Sequence, residues 1–359
     1  MKERMYRSVG ERSKAKNKVL WTVLSIVIAA ASIAAVIFQS GSFKLKHFFA
    51  FVGSANPGFI AAAVFCMLLF IFFEGEALRV ILKAYGNRAG IGACTAYSAT
   101  DIYFSAITPS ATGGQPASAI MMMRDGIPGS TTTVALLANL AMYTASILVL
   151  GGAAILLYPS AFACFGGVSR ILVYVGIIAQ LTLLAFFILL LANDNLLRKI
   201  IISIVKLGGR IHLVRRVEER IEKISVSLDN YAKDAKALRG HRMMLARVFI
   251  LNVAQRASQI AVTAFVHLAA GGKALDALRI FALQCYVVLG ASFIPIPGAM
   301  GVTDFLMLDA FGGTGIMSEE AATSLELLSR SLSFYCCIAL CALIVLIRFL
   351  SSKKGVRSK

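Results

Sequence analysis

The sequence predicts an all-α integral membrane protein with about six full transmembrane helices and two re-entrant, broken helical hairpins in an inverted-repeat arrangement. Three observations predict this. Hydrophobic residues make up 58% of the chain and charged ones only 15%, against roughly 25% charged in a soluble domain. Apolar windows longer than the ~20 residues needed to cross a bilayer recur along the chain. Two further apolar stretches are interrupted near their middles by glycine and proline.

The six long runs lie at about 19–39, 58–83, 130–158, 168–192, 243–269 and 318–349, and the interrupted ones at about 91–123 and 274–316. The first run follows a basic head but precedes no convincing cleavage site ("AVIFQSGSFK"), so it reads as an uncleaved helix. Orientation follows from lysine and arginine, which collect in cytoplasmic loops. Residues 1–18 hold seven, 193–242 hold twelve, and the stretch from Arg348 holds five. Placing these inside together requires each interrupted stretch to enter and leave on one side, as does a double pass. The short limb Ala117 to Met123 favours re-entry, because seven residues cannot span. Lys83, Arg88 and Arg124 then join the inside set, leaving Lys44, Lys46, Lys273 and Arg279 as outside exceptions. The chain divides into a basic cytoplasmic N-terminus (1–18), a polytopic domain (19–350) and a basic cytoplasmic tail (351–359).

"SAITPSATGGQPASAIMMM", residues 105–123, places a Gly-Gly-Gln-Pro turn where a lipid-facing helix would continue. Irregular backbone at membrane depth survives only where protein buries it or it lines a wet cavity. The turn therefore predicts an internal polar cavity, with Pro116 in the first turn of the following helix, where no donor is needed. "FIPIPGAMGVTD", residues 293–304, repeats the device from the opposite side. A span, a broken hairpin and a span, twice and inverted, is the layout of a carrier.

The 193–242 insert has helical spacing, with Ile200, Ile204 and Leu207 on one side and Val214, Val217, Ile221 and Ile224 continuing it. Its first half reads as an interfacial helix with a basic face, suited to lying on the membrane or recruiting anionic lipid or a partner.

Charged groups inside spans are costly and mark candidate sites. Arg256 lies mid-helix with Asn252, Gln255 and Gln259 on a shared polar face, and a guanidinium fork suits phosphate. The alternative is an internal salt bridge to Asp304 or Glu74. Asp304 is either a helix-capping carboxylate or a gate facing the cavity. Asp101 precedes the first turn by seven residues and can face the same space. Glu74, Asp101 and Arg330 are the gating or coupling candidates, whereas Glu76 and Arg79 suit an i,i+3 pair. Amides at a helix start favour anions. Gly113, Gly114 and Gln115 serve one phosphate position, and Gly298 and Gly301 its counterpart; tight packing of buried turns explains the same glycines.

The net charge of +18 resides between apolar spans, which argues against nucleic acid. The seven cysteines and four histidines form no metal-ligand spacing, and no phosphate-binding P-loop motif is present, so neither cofactor nor metal is expected.

The chain resembles the transmembrane flippase-like domain of the lysylphosphatidylglycerol synthase (MprF-type) family over most of 19–350. "ITPSATGGQPASAIMMMRDGI" is similar to the family's Thr-Pro-x-x-Thr-Gly-Gly-Gln-Pro segment, and "PIPGAMGVTD" to its Pro-x-Pro-Gly-Gly-x-Gly-x-x-Glu. Ala299 stands where glycine is usual and Asp304 where glutamate is usual. The two turns and the central arginine together give the candidate headgroup site: Thr108, Thr112, Gly113, Gly114, Gln115, Pro116, Arg256, Gln259, Pro297, Gly298, Gly301 and Asp304. The resemblance implies a bacterial plasma-membrane translocase for an anionic or aminoacylated phospholipid, or for a lipid-linked phosphate. The 50-residue insert is too short for the family's soluble transferase domain. The alternatives are phosphatidylglycerol lysyltransferase, which needs lysyl-tRNA, and a membrane subunit partnering a separate synthase. The expected partners are the phospholipid substrate, anionic lipids at the cytoplasmic surface, and a synthase or a second copy of the chain.

Overall fold

A computed structural model describes residues 45–108, 111–210, 217–294, 299, 301–315 and 317–357, and every regular element among them is helical. In chain order these are α1 (Leu45–Ser54), α2 (Pro57–Ala84), α3 (Ile91–Ile107), α4 (Gly114–Arg124), α5 (Gly129–Leu157), α6 (Pro159–Phe162), α7 (Gly167–Ala192), α8 (Asp194–Arg210), α9 (Val217–Gly240), α10 (Arg242–Ala269), α11 (Ala274–Ala291), α12 (Val302–Gly312) and α13 (Glu319–Arg330). A π-helical turn, Ser331–Cys336, joins α13 to α14 (Cys337–Arg357).

Local chemistry sets the ends. The Asn56 side chain accepts from Gly58 N at 2.9 Å, and Pro57 fills the first helical position of α2, where its missing donor costs nothing. Ser318 caps α13 in the same way, with Glu319 and Glu320 in its first turn, favourable to the helix dipole.

Six helices are long and apolar enough to cross a membrane: α2, α5, α7, α10, α11 and the continuous Glu319–Leu350 run. Five coincide with the expected runs to within a residue or two. The expected first span, 19–39, lies outside the described residues. The sixth, α11, is the first limb of the second interrupted stretch; by length and composition it can cross, and the re-entrant reading is not confirmed. Its 18 residues rise about 27 Å, close to the ~30 Å hydrocarbon thickness.

Each interrupted stretch folds into two antiparallel limbs. α4 returns along α3, because Tyr97, Thr100 and Asp101 meet Asp125, Met121 and Gln115 in reverse order. The return limb begins at Gly114, earlier than the expected Ala117, and its 11 residues rise about 16 Å. α12 returns along α11 with the same length.

The bases of these hairpins lie at opposite ends of the bundle. At one end Asp125 accepts from Tyr97 and pairs with Arg348, both at 2.7 Å. Nearby, Tyr85 donates to the Asp234 carbonyl at 2.6 Å and Thr131 to its carboxylate at 3.0 Å, which docks α9. At the other end Gly166 N donates to Asp309 at 2.7 Å and Arg279 reaches Cys164 Sγ at 3.2 Å. Asn56 N also donates to the Ala269 carbonyl there, at 2.7 Å.

Two apolar cores surround the hairpins. One collects Phe165, Tyr286, Leu289, Leu306 and Phe311 around α11 and α12. The other collects Leu78, Tyr97, Met122, Val134, Leu228 and Tyr231 around the base of α3 and α4. α7 by contrast exposes Ile171, Tyr174, Ile178, Leu181 and Ile188, as a helix facing acyl chains does. On α8, Ile204 and Leu207 are exposed as one apolar stripe, the face expected to lie on a membrane surface.

Candidate functional site

α2, α3 and α10 carry a polar cluster into the middle of the bundle, where the turn between α3 and α4 meets it. Glu74, Ser98, Asp101, Asn252, Gln255 and Arg256 are all buried. Ser98 Oγ lies 2.9 Å from the Ile71 carbonyl and 3.1 Å from Glu74 Oε2. Gln255 Nε2 donates to the same Glu74 oxygen at 3.1 Å. Asp101 accepts from Gln115 Nε2 at 2.5 Å and from Ser105 Oγ at 3.2 Å. The turn is thereby fastened to the polar face of α3.

The turn's own residues divide the labour. Thr108 Oγ1 donates to the Phe104 carbonyl at 2.6 Å and accepts from Gly113 N at 2.9 Å, so its hydroxyl closes the turn. Gly114 is packed so closely that an added Cβ would lie 2.1 Å from Asp101 Oδ1 and 2.5 Å from the Asp101 carbonyl oxygen. Only glycine fits that approach. Pro116 occupies the first turn of α4, as expected, and is exposed. Thr112 is exposed as well.

Arg256 stands at the centre of α10 with 5% of its surface accessible. Its Nη1 donates to Gln259 Oε1, and its guanidinium stacks 4.3 Å from the centroid of the Tyr143 ring. Among the described residues no carboxylate is in ion-pair contact with it, and its Nε has no hydrogen-bond partner. Glu74 acts on it only through its charge at longer range. The alternative reading of Arg256 as half of a salt bridge to Asp304 or Glu74 is therefore not met. Burying an unpaired guanidinium is costly, and two buried acceptors on the same helix, Gln255 Oε1 and Asn252 Oδ1, also lack partners among the described residues. Asn252 instead donates to Asn139 Oδ1 at 3.0 Å.

The second turn brings a different set together. Asp304 Oδ2 accepts from Gly301 N at 3.0 Å, capping α12, while Oδ1 pairs with Arg330 Nε at 2.8 Å. The capping and charge-pairing readings of Asp304 thus hold together, and its partner is Arg330 rather than Arg256. Glu326 is 1% exposed and faces Asp304. Gly301 has φ +78°, and Ala299 adopts the left-handed φ +48°. Pro297 and Gly298 lie outside the described residues. Glu76 accepts from Arg79 at 2.5 and 2.7 Å, the pair expected from their spacing.

Several participants were not singled out from sequence. Ser98, Tyr143 and Asn139 are isolated polar residues in apolar helices, and Glu326 stands four residues before Arg330, a spacing that exposed pairs share. For Glu326 a signal existed: it lies in "TSLELLSRSLSFY", close to the start of a long apolar run.

An open cavity of about 570 Å³ lies at the base of α3 and α4, lined by Arg88, Gly90, Tyr97, Asp125 and Arg348. No group of three or more metal-ligating side chains occurs among the described residues.

Long apolar helices around a buried, partly unsatisfied polar interior define a multi-pass helical membrane protein. The chain belongs to the lysylphosphatidylglycerol synthase TM region family, whose model matches residues 22–341. That membership is consistent with a membrane lipid-related function. No curated protein and no solved structure matches the chain.

Proposed function

We propose that this protein is a bacterial plasma-membrane translocase that carries an anionic or aminoacylated phospholipid, or a lipid-linked phosphate, from one leaflet to the other. The observation that carries the reading is Arg256: a guanidinium at mid-bundle, buried, without a carboxylate in contact among the described residues, and with its Nε unpartnered. Phosphate supplies what this group lacks, two anionic oxygens matching the guanidinium fork. Gln259 orients the guanidinium, Tyr143 supports its face, and the Gly113–Gly114–Gln115 turn offers the start of α4 to the same anion.

In this reading the two hairpins dip from opposite faces of the bilayer, the second turn forming the counterpart position with Pro297, Gly298, Gly301 and Asp304. Both chain termini and the α8–α9 insert lie in the cytoplasm, where the basic end of the bundle meets anionic lipid. A separate synthase or a second copy of the chain would dock there.

Reconstitution in liposomes with fluorescent phosphatidylglycerol tests the reading through the accessibility of the label to an external quencher. We expect exchange above that of empty vesicles. Arg256→Lys keeps the charge but loses the fork, worth about 1.5–3 kcal/mol for a charged hydrogen bond, and so lowers the rate about tenfold or more. Exchange equal to that of empty vesicles across several anionic lipids rejects the proposal.

A further inference from the structure

The open cavity at the base of α3 and α4 belongs to neither turn and has a charge pattern of its own. Its wall holds Arg88 and Gly90 from the α2–α3 connection, Tyr97 from α3, Asp125 and Gly126 from the end of α4, and Arg348 from α14, around about 570 Å³. Asp125 Oδ2 accepts from Tyr97 and pairs with Arg348 Nη2, both at 2.7 Å, so the acid is engaged and its charge offset. A guanidinium carries five N–H donors in a fixed fork, and Arg348 makes no other hydrogen bond or ion pair among the described residues. Arg88 is exposed and has no hydrogen bond or ion pair among them at all. The wall therefore carries one uncompensated positive charge, with unused donors on two arginines.

The depth of the cavity selects the anion that reaches it. α2 ends at Ala84, α5 begins at Gly129, and the apolar run of the last span ends at Leu350. The wall thus lies where the spans leave the hydrocarbon, at the level of lipid headgroups. Apolar side chains adjoin it on each segment: Ile91 follows Gly90, Met123 stands two residues before Asp125, and Ile347 precedes Arg348, all three exposed. A soluble anion gains nothing from that border, whereas a phospholipid can lay its acyl chains there with its phosphate among the arginines. A phosphodiester spreads one negative charge over two free oxygens, which a guanidinium fork matches. The start of α3 adds to the attraction, because its cap residue Gly90 offers no side chain to the first amides. An added Cβ at Gly90 would meet nothing within 4 Å, so the approach is open.

We propose that this cavity is a second lipid site, which binds the phosphate of an anionic phospholipid on Arg88 and Arg348 at the basic end of the bundle, apart from the buried Arg256. In the translocase reading it is where a lipid is held before it enters. The site itself does not depend on that reading, and its test measures binding without transport.

The test is native mass spectrometry of the full chain, released from detergent after titration with phosphatidylglycerol. Every protein compared carries Arg256→Gln, which silences the buried candidate site. We expect one retained phosphatidylglycerol in this parent, with an affinity about three- to fivefold lower once Arg88→Gln is added, the size of an exposed charge contact. Arg88→Lys keeps the charge and should keep most of the affinity. Arg88 has no partner to lose, so the melting temperatures of parent and both variants should agree. Inorganic phosphate, equimolar with the lipid, should leave the adduct in place. Equal affinity with and without Arg88, or no retained lipid in the parent, overturns the site. A melting temperature lowered by Arg88→Gln gives Arg88 a structural task and overturns it too. Displacement by equimolar phosphate overturns the lipid assignment and makes the ligand a soluble phosphate. Lipid exchange that fails in liposomes rejects the translocase reading alone.

Discussion

Replacing Gly114 by alanine strikes the contact on which the first turn depends. The added Cβ would sit 2.5 Å from the Asp101 carbonyl oxygen, 2.1 Å from Asp101 Oδ1 and 2.0 Å from Ser105 Oγ. The two side chains can rotate away, but the carbonyl belongs to the hydrogen-bonded interior of α3 and cannot. Restoring an ordinary separation of about 3.4 Å moves α4 outward by roughly 1 Å, an overpacking cost of about 1–3 kcal/mol. The same displacement stretches the Gln115–Asp101 bond beyond use, a further loss of about 1.5–3 kcal/mol for a charged acceptor. We expect a total near 3 kcal/mol, read as an apparent melting temperature in detergent lowered by about 5 °C or more. Lipid exchange should fall alongside it, because the turn loses its anchor on α3. Gly92→Ala is the control: nothing lies within 4 Å of its Cβ, and alanine in a helix should leave stability equal or raised by up to about 1 kcal/mol. A Gly114→Ala protein as stable and active as wild type would refute the placement of this turn.

Three further outcomes follow from the geometry. Arg256→Gln removes a buried charge that has no ionic partner among the described residues, so the melting temperature should equal or exceed that of wild type while lipid exchange is lost; a large destabilisation would instead make Arg256 a structural strut. Ala299→Gly relieves a left-handed conformation that costs a non-glycine residue about 1–2 kcal/mol, partly offset by glycine's greater chain entropy. It should therefore stabilise the protein by about 0.5–1 kcal/mol in the same melting assay. Burial pushes the Tyr85 phenol above its ordinary range, so its bond to the Asp234 carbonyl is present at neutral pH and lost only as pH rises past that raised value. Tyr85→Phe should cost about 0.5–1.5 kcal/mol and speed limited proteolysis within residues 217–240 at neutral pH.

The spans were legible because a run of some 28 apolar residues admits one reading. The 58–83 and 243–269 runs became Pro57–Ala84 and Arg242–Ala269. The Gly-Gly-Gln-Pro turn was legible for a related reason, since glycine and proline punctuate a helix visibly. The Pro-Gly interruption at residues 295–298 likewise marked the end of α11, but not whether its 18 residues cross the bilayer or dip into it. Pairings were hidden where partners lie far apart in sequence: Asp304 meets Arg330 across 26 positions, and Gln255 meets Glu74 across 181. A chain with several buried charges offers many such pairings, and only packing selects among them. The burial of Glu326 was hidden differently, because a glutamate four residues before an arginine looks the same on an exposed helix.

The wide turn at Ser331–Cys336 carries a mechanical consequence. A π-turn stores one residue more than an α-turn, and that surplus can be handed from one turn to the next without unravelling the rod. Each hand-over turns only the residues it passes, by about 100°, and leaves the segments on either side in place. The half bearing Arg330 thus stays joined to Asp304, and the half bearing Arg348 to Asp125, whichever turn between them carries the surplus.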